Sequence, residues 1–204
     1  MSPFPRKSDV LRRIGRYHRA PMNGLRFAGI VLFAAAAVAC GGGGSGGDSA
    51  ADALNRGLAA HAAGKLDDAV TAYFQTLEKD PKNKFALYNL GEIAQRQNRL
   101  VAAEAYYRLA LEQDPKMESA LFNLAIVRTN IGATADAVAL YKQVIAVNAN
   151  NAAAHFNLGL LYRQLGQTAD AQQELATAQR LDPKLVAPSP SASPARQVTP
   201  SPTR

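Results

Sequence analysis

Residues 84–117 read KFALYNLGEIAQRQNRLVAAEAYYRLALEQDPKM, and this stretch determines the fold because its pattern occurs four times in a row. The rows are residues 50–83, 84–117, 118–151 and 152–185, which align without insertion or deletion. A fixed period of this length, 34 residues here, is the sequence signature of a chain built from a repeated supersecondary unit. We therefore expect one structural unit, repeated along residues 50–185.

Two columns of the alignment hold small residues. Position eight is Gly57, Gly91, Ala125 and Gly159, and position twenty is Ala69, Ala103, Ala137 and Ala171. Small residues in both columns predict two antiparallel helices that cross closely, since a larger side chain would push them apart. Position twenty-four lies one turn later on the second helix, and its large side chains fill the space beside the crossing: Tyr73, Tyr107, Tyr141 and Leu175.

Residues between these columns predict where the helices end. Position fifteen is Gly or Asn, which suits a left-handed turn at a helix C-terminus: Gly64, Asn98, Gly132 and Gly166. A proline stops the second helix at position thirty-two in three rows: Pro81, Pro115 and Pro183. The sequence predicts an all-α chain with helix pairs at 50–63 and 66–79, 84–97 and 100–113, 118–131 and 134–147, and 152–165 and 168–181.

This pattern resembles the tetratricopeptide repeat (TPR), in which an aromatic residue, Leu-Gly and a Tyr are followed by Ala, an aromatic residue and Pro. The first half of the motif stands at residues 88–91, YNLG, and at 156–162, FNLGLLY; the second half stands at Ala69, Tyr73 and Pro81. No row has Trp at position four, and the first row has Arg56 where Leu is usual. The resemblance implies a right-handed superhelix (a solenoid) of four helix-turn-helix repeats.

The segment before the repeats has the features of an export signal. Residues 27–39 read FAGIVLFAAAAVA, an apolar run that is too short for a transmembrane helix but suits the core of a signal peptide. Residues 37–40, Ala-Val-Ala-Cys, also resemble a bacterial lipobox, although Leu is usual where Ala37 stands. That resemblance implies that Cys40 receives a diacylglyceryl group and becomes the first residue of the mature chain. The alternative is cleavage before Cys40 by the general signal peptidase.

The predicted segments are a signal peptide at 1–39, a Gly-rich tether at 40–49, four TPR repeats at 50–185 and a disordered Pro/Ser-rich tail at 186–204. Met22 opens an ordinary signal peptide, so a start at Met1 or at Met22 gives the same mature chain. We expect a lipid anchor at the cell membrane or the outer membrane, and Gly41 after Cys40 resembles outer-membrane lipoproteins. Cleavage by the general signal peptidase would instead give a periplasmic or secreted protein.

The net charge of +7 does not indicate nucleic-acid binding. Residues 1–40 hold seven Lys and Arg against one Asp, whereas residues 48–185 hold 14 basic and 15 acidic side chains. Phosphate binding needs a basic patch on a folded surface, and the repeats are close to neutral. Cys40 is the one cysteine of the sequence, which excludes an intramolecular disulfide and a Cys-based zinc site.

The repeats carry no motif for catalysis. His155 occupies a helix-packing position, and Asp67 and Asp68 begin a second helix, where carboxylates favour the positive end of the helix dipole. The sequence has neither a phosphate-binding loop nor a G-x-S-x-G motif. We expect no enzyme activity, no cofactor, no metal and no small-molecule substrate.

Position six is an asparagine in every row: Asn55, Asn89, Asn123 and Asn157. The resemblance implies that first helices line the inner groove of a solenoid, where an amide can bond both the N–H and the C=O of an extended peptide. An aromatic residue precedes three of the four, and we predict that these aromatics share the peptide-binding groove: Tyr88, Phe122 and Phe156. We expect apolar walls with few charges. The alternative is that the asparagines support the repeats through inter-repeat hydrogen bonds.

These features favour a non-catalytic TPR scaffold or adaptor lipoprotein that binds protein or peptide partners through its concave groove at the bacterial cell envelope. Two alternatives remain open. The chain is either a self-associating structural module whose groove is filled by a neighbouring copy, or an accessory subunit of an enzyme of envelope biosynthesis.

Overall fold

The computed structural model describes residues 49–187, and the regular structure in this range is entirely α-helical. The helices are α1 (Ala50–Ala62), α2 (Leu66–Lys79), α3 (Lys84–Arg96), α4 (Leu100–Gln113), α5 (Glu118–Asn130), α6 (Thr134–Val147), α7 (Ala152–Gln164) and α8 (Thr168–Leu181). This confirms the all-α prediction, and each first helix ends one residue earlier than the sequence predicts. The predictions for the signal peptide, for Cys40, for most of the tether and for most of the tail lie outside the described residues.

The chain divides into two compact units, the first ending at Ala133 and the second beginning at Thr134. In the first unit consecutive helices pack against one another from α1 to α5, and in the second α6 packs on α7 and α7 on α8. No helix within residues 49–187 is long and apolar enough to cross a membrane.

Helices of a pair cross closely at position eight, as the sequence predicts. A Cβ built on Gly91 would lie 2.6 Å from Cε1 of Tyr107, and one built on Gly57 would lie 2.5 Å from the same atom of Tyr73. Both tyrosines are fully buried. A side chain at Gly57 or at Gly91 therefore cannot coexist with the facing tyrosine ring in its present place.

The turns between paired helices use the left-handed backbone that position fifteen predicts. Asn98 has a φ of 56°, and the glycines at the same position have φ values of 73° to 78°: Gly64, Gly132 and Gly166. Side chains also cap several helices at their N-termini. Ser49 forms a reciprocal capping box with Asp52 at the start of α1, and the amide oxygen of Asn83 accepts from Ala86 N at the start of α3.

Within the first unit, the repeats share a core built from equivalent positions. Positions seven and ten of α3 and α5 are buried apolar residues: Leu90, Ile93, Leu124 and Val127. In α1 the same positions are Arg56 and Ala59, which are exposed, and Arg56 Nη2 donates to Gln75 Oε1 on α2 at 2.9 Å. The first helix pair thus presents a polar end, as a terminal unit of a repeat array must.

Candidate functional site

The four predicted asparagines do not share one environment. Asn55 is exposed on α1, whereas Asn89 is buried on α3 and its Nδ2 donates to the carbonyl oxygen of Phe85 at 2.7 Å. That bond lies within one helix, so the Asn89 amide nitrogen is turned toward its own backbone. The Asn89 amide nitrogen is therefore engaged within α3.

Asn123 on α5 makes a hydrogen bond between repeats. Its Nδ2 donates to the hydroxyl oxygen of Tyr88 on α3 at 3.1 Å. Such a bond is what we expect if the asparagines support the repeats through inter-repeat hydrogen bonds. It uses the amide nitrogen of Asn123 and not the amide oxygen Oδ1. In the second unit, Asn157 is half-buried on α7, and the described residues give its amide no hydrogen-bond partner.

The three predicted aromatics, Tyr88, Phe122 and Phe156, are all half-buried on first helices. The ring of Tyr88 lies 5.9 Å from that of Tyr107, in a tilted arrangement. Burial, together with the charge and hydrogen bond of Glu92, raises the pKa of Tyr88 to about 12. Tyr88 is thus a neutral hydroxyl at physiological pH, and it accepts a hydrogen bond from Asn123 Nδ2.

A cleft of about 320 Å³ opens in the first unit beside Asn123, between α3 and α5. Its lining residues come from three helices and are mostly polar: Glu92, Gln95, Arg96, Tyr107, Asn123 and Asn130. The sequence predicts apolar walls with few charges. The cleft differs because positions nine, twelve and thirteen of α3 place Glu92, Gln95 and Arg96 in its lining.

Gln95 and Asn130 are the lining residues that sequence reasoning missed. Gln95 Oε1 accepts a hydrogen bond from the hydroxyl of Tyr107 at 2.7 Å. Burial raises the pKa of Tyr107 strongly, so this hydroxyl is a permanent donor. Its spacing could have indicated it, because Gln95 lies about one helical turn after Glu92, which lies about one turn after the predicted Asn89.

Two large apolar side chains are exposed on the first helices of the first unit. Leu58 at position nine of α1 is 42% exposed, and Phe85 at position two of α3 is 50% exposed. Lys84 Nζ lies 5.2 Å from the centre of the Phe85 ring and forms an ion pair of 2.7 Å with Asp114 Oδ2. The surface therefore combines apolar contacts with the polar cleft further along α3.

The two histidines in the described range have structural partners. His155 Nδ1 lies 2.5 Å from Glu174 Oε2 and its Nε2 lies 3.1 Å from the carbonyl oxygen of Ala149. His61 lies between the Tyr73 hydroxyl, at 3.4 Å, and the Arg96 guanidinium, at 3.5 Å. No group of three His, Cys, Asp or Glu residues within 49–187 is placed to hold a metal ion.

A second cleft, of about 540 Å³, lies between α1 and α2. Alanines form much of its lining (Ala59, Ala60, Ala63 and Ala72), and Arg56, Lys65 and Asp68 stand among its polar residues. Position ten of this repeat is Ala59, where α3 has the buried Ile93. The cleft is thus the space that smaller residues leave at the end of the first helix pair.

Sequence profiles of the tetratricopeptide repeat match this chain at residues 49–118, 127–166 and 152–185. No curated protein matches it. The fold is similar to the crystal structure of MamA, with a TM-score of 0.63 and 20% identity over 69% of this chain and 82% of that one. It is also similar to a tetratricopeptide repeat protein from Parabacteroides merdae, with a TM-score of 0.62 and 28% identity over 68% of this chain and 55% of that one.

Proposed function

This chain belongs to the tetratricopeptide repeat family, and from that premise we propose that it is a non-catalytic scaffold that binds protein or peptide partners along its first helices. Stacked repeats of this kind present extended binding surfaces. We place the scaffold at the bacterial cell envelope, where a lipid on Cys40 anchors it and residues 40–49 form the tether. The signal-like run at 27–39 and the lipobox-like residues 37–40 support that location.

The observation that carries the binding function is the exposure of Leu58 and Phe85 on neighbouring first helices of one compact unit. Apolar anchors beside polar groups are the usual composition of a protein interface. The polar cleft at Gln95 and Asn123 lies on the same unit and supplies such groups. A partner would bury the two apolar side chains and hydrogen-bond in the cleft.

Affinity capture from solubilised bacterial membranes tests this function, with the full chain as bait. Changing Leu58 and Phe85 together to Glu should abolish capture of a partner, because burying two carboxylates without partners costs several kcal/mol. The matched control is Val101→Glu, since Val101 is 73% exposed on α4, a second helix. A partner that all three baits retain equally would show that the first-helix surface does not bind it.

Self-association is the second candidate, and the Ala-lined cleft at α1 and α2 favours it. Small residues let another helix approach closely, as a helix of a second copy would. Sedimentation of the full chain in detergent distinguishes the two candidates. A monomer at micromolar concentration contradicts self-association. A dimer that persists in the Leu58 and Phe85 variants contradicts the idea that a second copy occupies the first-helix surface.

A further inference from the structure

We propose that the turn edge of the first unit is a second docking surface, which binds an acidic amphipathic segment of a protein partner. The turn edge is the end of the unit where α3 and α5 stop and α4 starts, and four residues form it: Arg96, Arg99, Val101 and Ile131. This inference goes beyond the proposed function, which uses the first-helix surface at Leu58 and Phe85. Only the choice of a protein over a membrane as the partner rests on the proposed lipid anchor.

The turn edge is one place because consecutive helices of the unit run in opposite directions. α3 ends at Arg96, and α4 begins at Leu100 after a short turn. α5 packs against α4, and its last residue, Asn130, lines the same cleft as Arg96. Ile131 follows directly as the C-cap of α5. The ends of α3 and α5 therefore lie side by side, next to the start of α4.

Two apolar side chains at the turn edge are exposed although the fold does not need them there. Val101 is 73% exposed and Ile131 is 47% exposed. The equivalent of Val101 in the first repeat is Asp67, and the equivalent of Ile131 in the second repeat is Gln97. Because polar residues serve the same positions in other repeats, packing does not account for Val101 and Ile131. Exposed apolar side chains at one edge instead indicate a binding surface.

The charge around these apolar side chains favours an acidic partner. Residues 93–103 and 119–133 contain neither Asp nor Glu, and they contain three arginines: Arg96, Arg99 and Arg128. Arg128 forms an ion pair of 2.5 Å with Glu104, about one helical turn inward from the start of α4. Glu92 lies about one turn inward from the end of α3, in the cleft. The edge itself is therefore positive, and arginine is a residue that protein interfaces favour.

The position of the tether favours a protein over the anchoring membrane as the partner. The tether ends where α1 begins, at Ala50, and the first helices run from that end of the unit to the turn edge. A helix of 13 residues is about 20 Å long. With a lipid on Cys40, the turn edge is thus the end of the unit that lies away from the point of attachment.

Titration of the full chain with a blocked acidic peptide tests the surface. The probe is a short amphipathic helix of Leu and Glu with acetyl and amide ends, and Lys replaces every Glu in the matched basic probe. We expect the acidic probe to shift the nuclear magnetic resonance signals of the backbone amides of Val101 and Ile131. It should bind at least about tenfold more tightly than the basic probe, because the edge carries positive charge.

Val101→Glu is the test variant for the turn edge, whereas it serves as the control for the first-helix surface. The fold accepts a carboxylate at this position, since Asp67 occupies it in the first repeat. We expect affinity for the acidic probe to fall at least about tenfold, because the new charge repels the probe and an apolar contact is lost. The control is Val147→Glu at the end of α6 in the second unit, where the side chain is 40% exposed. It should change affinity less than about twofold.

Three results would overturn the docking surface. The first is that the acidic probe does not bind, or binds no better than the basic probe. The second is equal affinity of the acidic probe for Val101→Glu and for the unchanged chain. The third is binding to phosphatidylglycerol vesicles that Val101→Glu abolishes while the acidic probe leaves the amide signals of the edge unshifted, which would make the edge a membrane contact.

The proposed function fails separately from the turn edge. Changing Leu58 and Phe85 together to Glu should leave affinity for the acidic probe unchanged. If that variant captures the same partners as the unchanged chain while Val101→Glu loses the probe, the turn edge is retained and the first-helix surface is wrong. If partners require Leu58 and Phe85 while Val101→Glu binds the probe normally, the scaffold function stands and the turn edge is wrong.

Discussion

Gly91 allows α3 and α4 to approach closely, and adding one methyl group there in the variant Gly91→Ala tests this close approach. A Cβ there would lie 2.6 Å from Cε1 of the buried Tyr107, whose hydroxyl is bonded to Gln95. We expect Gly91→Ala to lower the free energy of unfolding by about 1–3 kcal/mol, the usual cost of overpacking a core. Urea unfolding followed by circular dichroism measures this change.

The higher helix propensity of Ala opposes the overpacking in Gly91→Ala and must be considered when the result is interpreted. Ala is a better helix former than Gly by about 1 kcal/mol, so an unchanged or higher stability in Gly91→Ala would mean that the crossing tolerates a side chain. Gln97→Ala, at an exposed position of the same helix end, should alter stability by less than about 0.5 kcal/mol.

Asn123 and Asn157 occupy the same repeat position but should respond differently to substitution. Asn123→Ala removes the donor to Tyr88 and should lower the free energy of unfolding by about 1 kcal/mol. Asn157→Ala should leave the unfolding midpoint unchanged, because no described residue bonds its amide. Thermal unfolding of each variant measures the difference.

Binding of a captured partner separates the two interpretations of these asparagines. If Asn157→Ala weakens the partner by about two- to tenfold at unchanged stability, Asn157 binds the ligand. If Asn157→Ala instead melts several degrees lower and binds normally, the structural alternative holds for it as well.

At the scale of elements, the tyrosines of α2, α3 and α4 make the first unit sensitive to alkali. Burial is the main cause that raises the pKa of Tyr73, of Tyr88 and of Tyr106 to about 12, from an ordinary value of 10.0. The folded chain therefore keeps protons that the unfolded chain releases. Stability is fully present below about pH 10 and falls as the pH rises toward 12.

Urea unfolding at a series of pH values, with ultraviolet absorbance of tyrosinate, measures this loss. We expect tyrosinate to form later in the folded chain than in the urea-unfolded chain, and the unfolding midpoint to drop over the same interval. Tyr88→Phe should reduce the drop, since one of the raised groups is gone. Coincident titration of folded and unfolded chains would contradict the burial of these hydroxyls.

The helix bounds could be predicted from the sequence because the 34-residue period aligns every turn with three others. Gly64, Asn98, Gly132 and Gly166 all have the left-handed backbone that their column predicts. The polar cleft could not be predicted in the same way. The roles of Asn123 and Gln95 depend on the hydroxyls of Tyr88 and Tyr107, which reach them from other helices, and a column of identical residues does not encode such contacts.

At the scale of the whole molecule, the basic charge is concentrated outside the repeats, which are close to neutral. The sequence carries a net charge of +7, yet residues 48–185 hold 14 basic and 15 acidic side chains, so the excess lies in the terminal segments. A basic segment before the apolar run of 27–39 is what export signals have in common. The proposed anchor and the repeats are thus separable by mutation.

Cys40→Ser tests the anchor, since it removes the sulfur that would carry the lipid and leaves the repeats unchanged. We expect the unchanged chain to sediment with membranes and require detergent for release, and the variant to lose that association. The two acyl chains of a diacylglyceryl group anchor stably, because each methylene group buried in the membrane contributes about 0.8 kcal/mol. Gly41→Ser is the control, because it alters the neighbouring residue and keeps the thiol. Mass spectrometry of the mature N-terminus should find a diacylglyceryl group on Cys40. An unmodified Cys40 as the first residue, with equal distribution of the chain and its Cys40→Ser variant, would instead establish cleavage by the general signal peptidase.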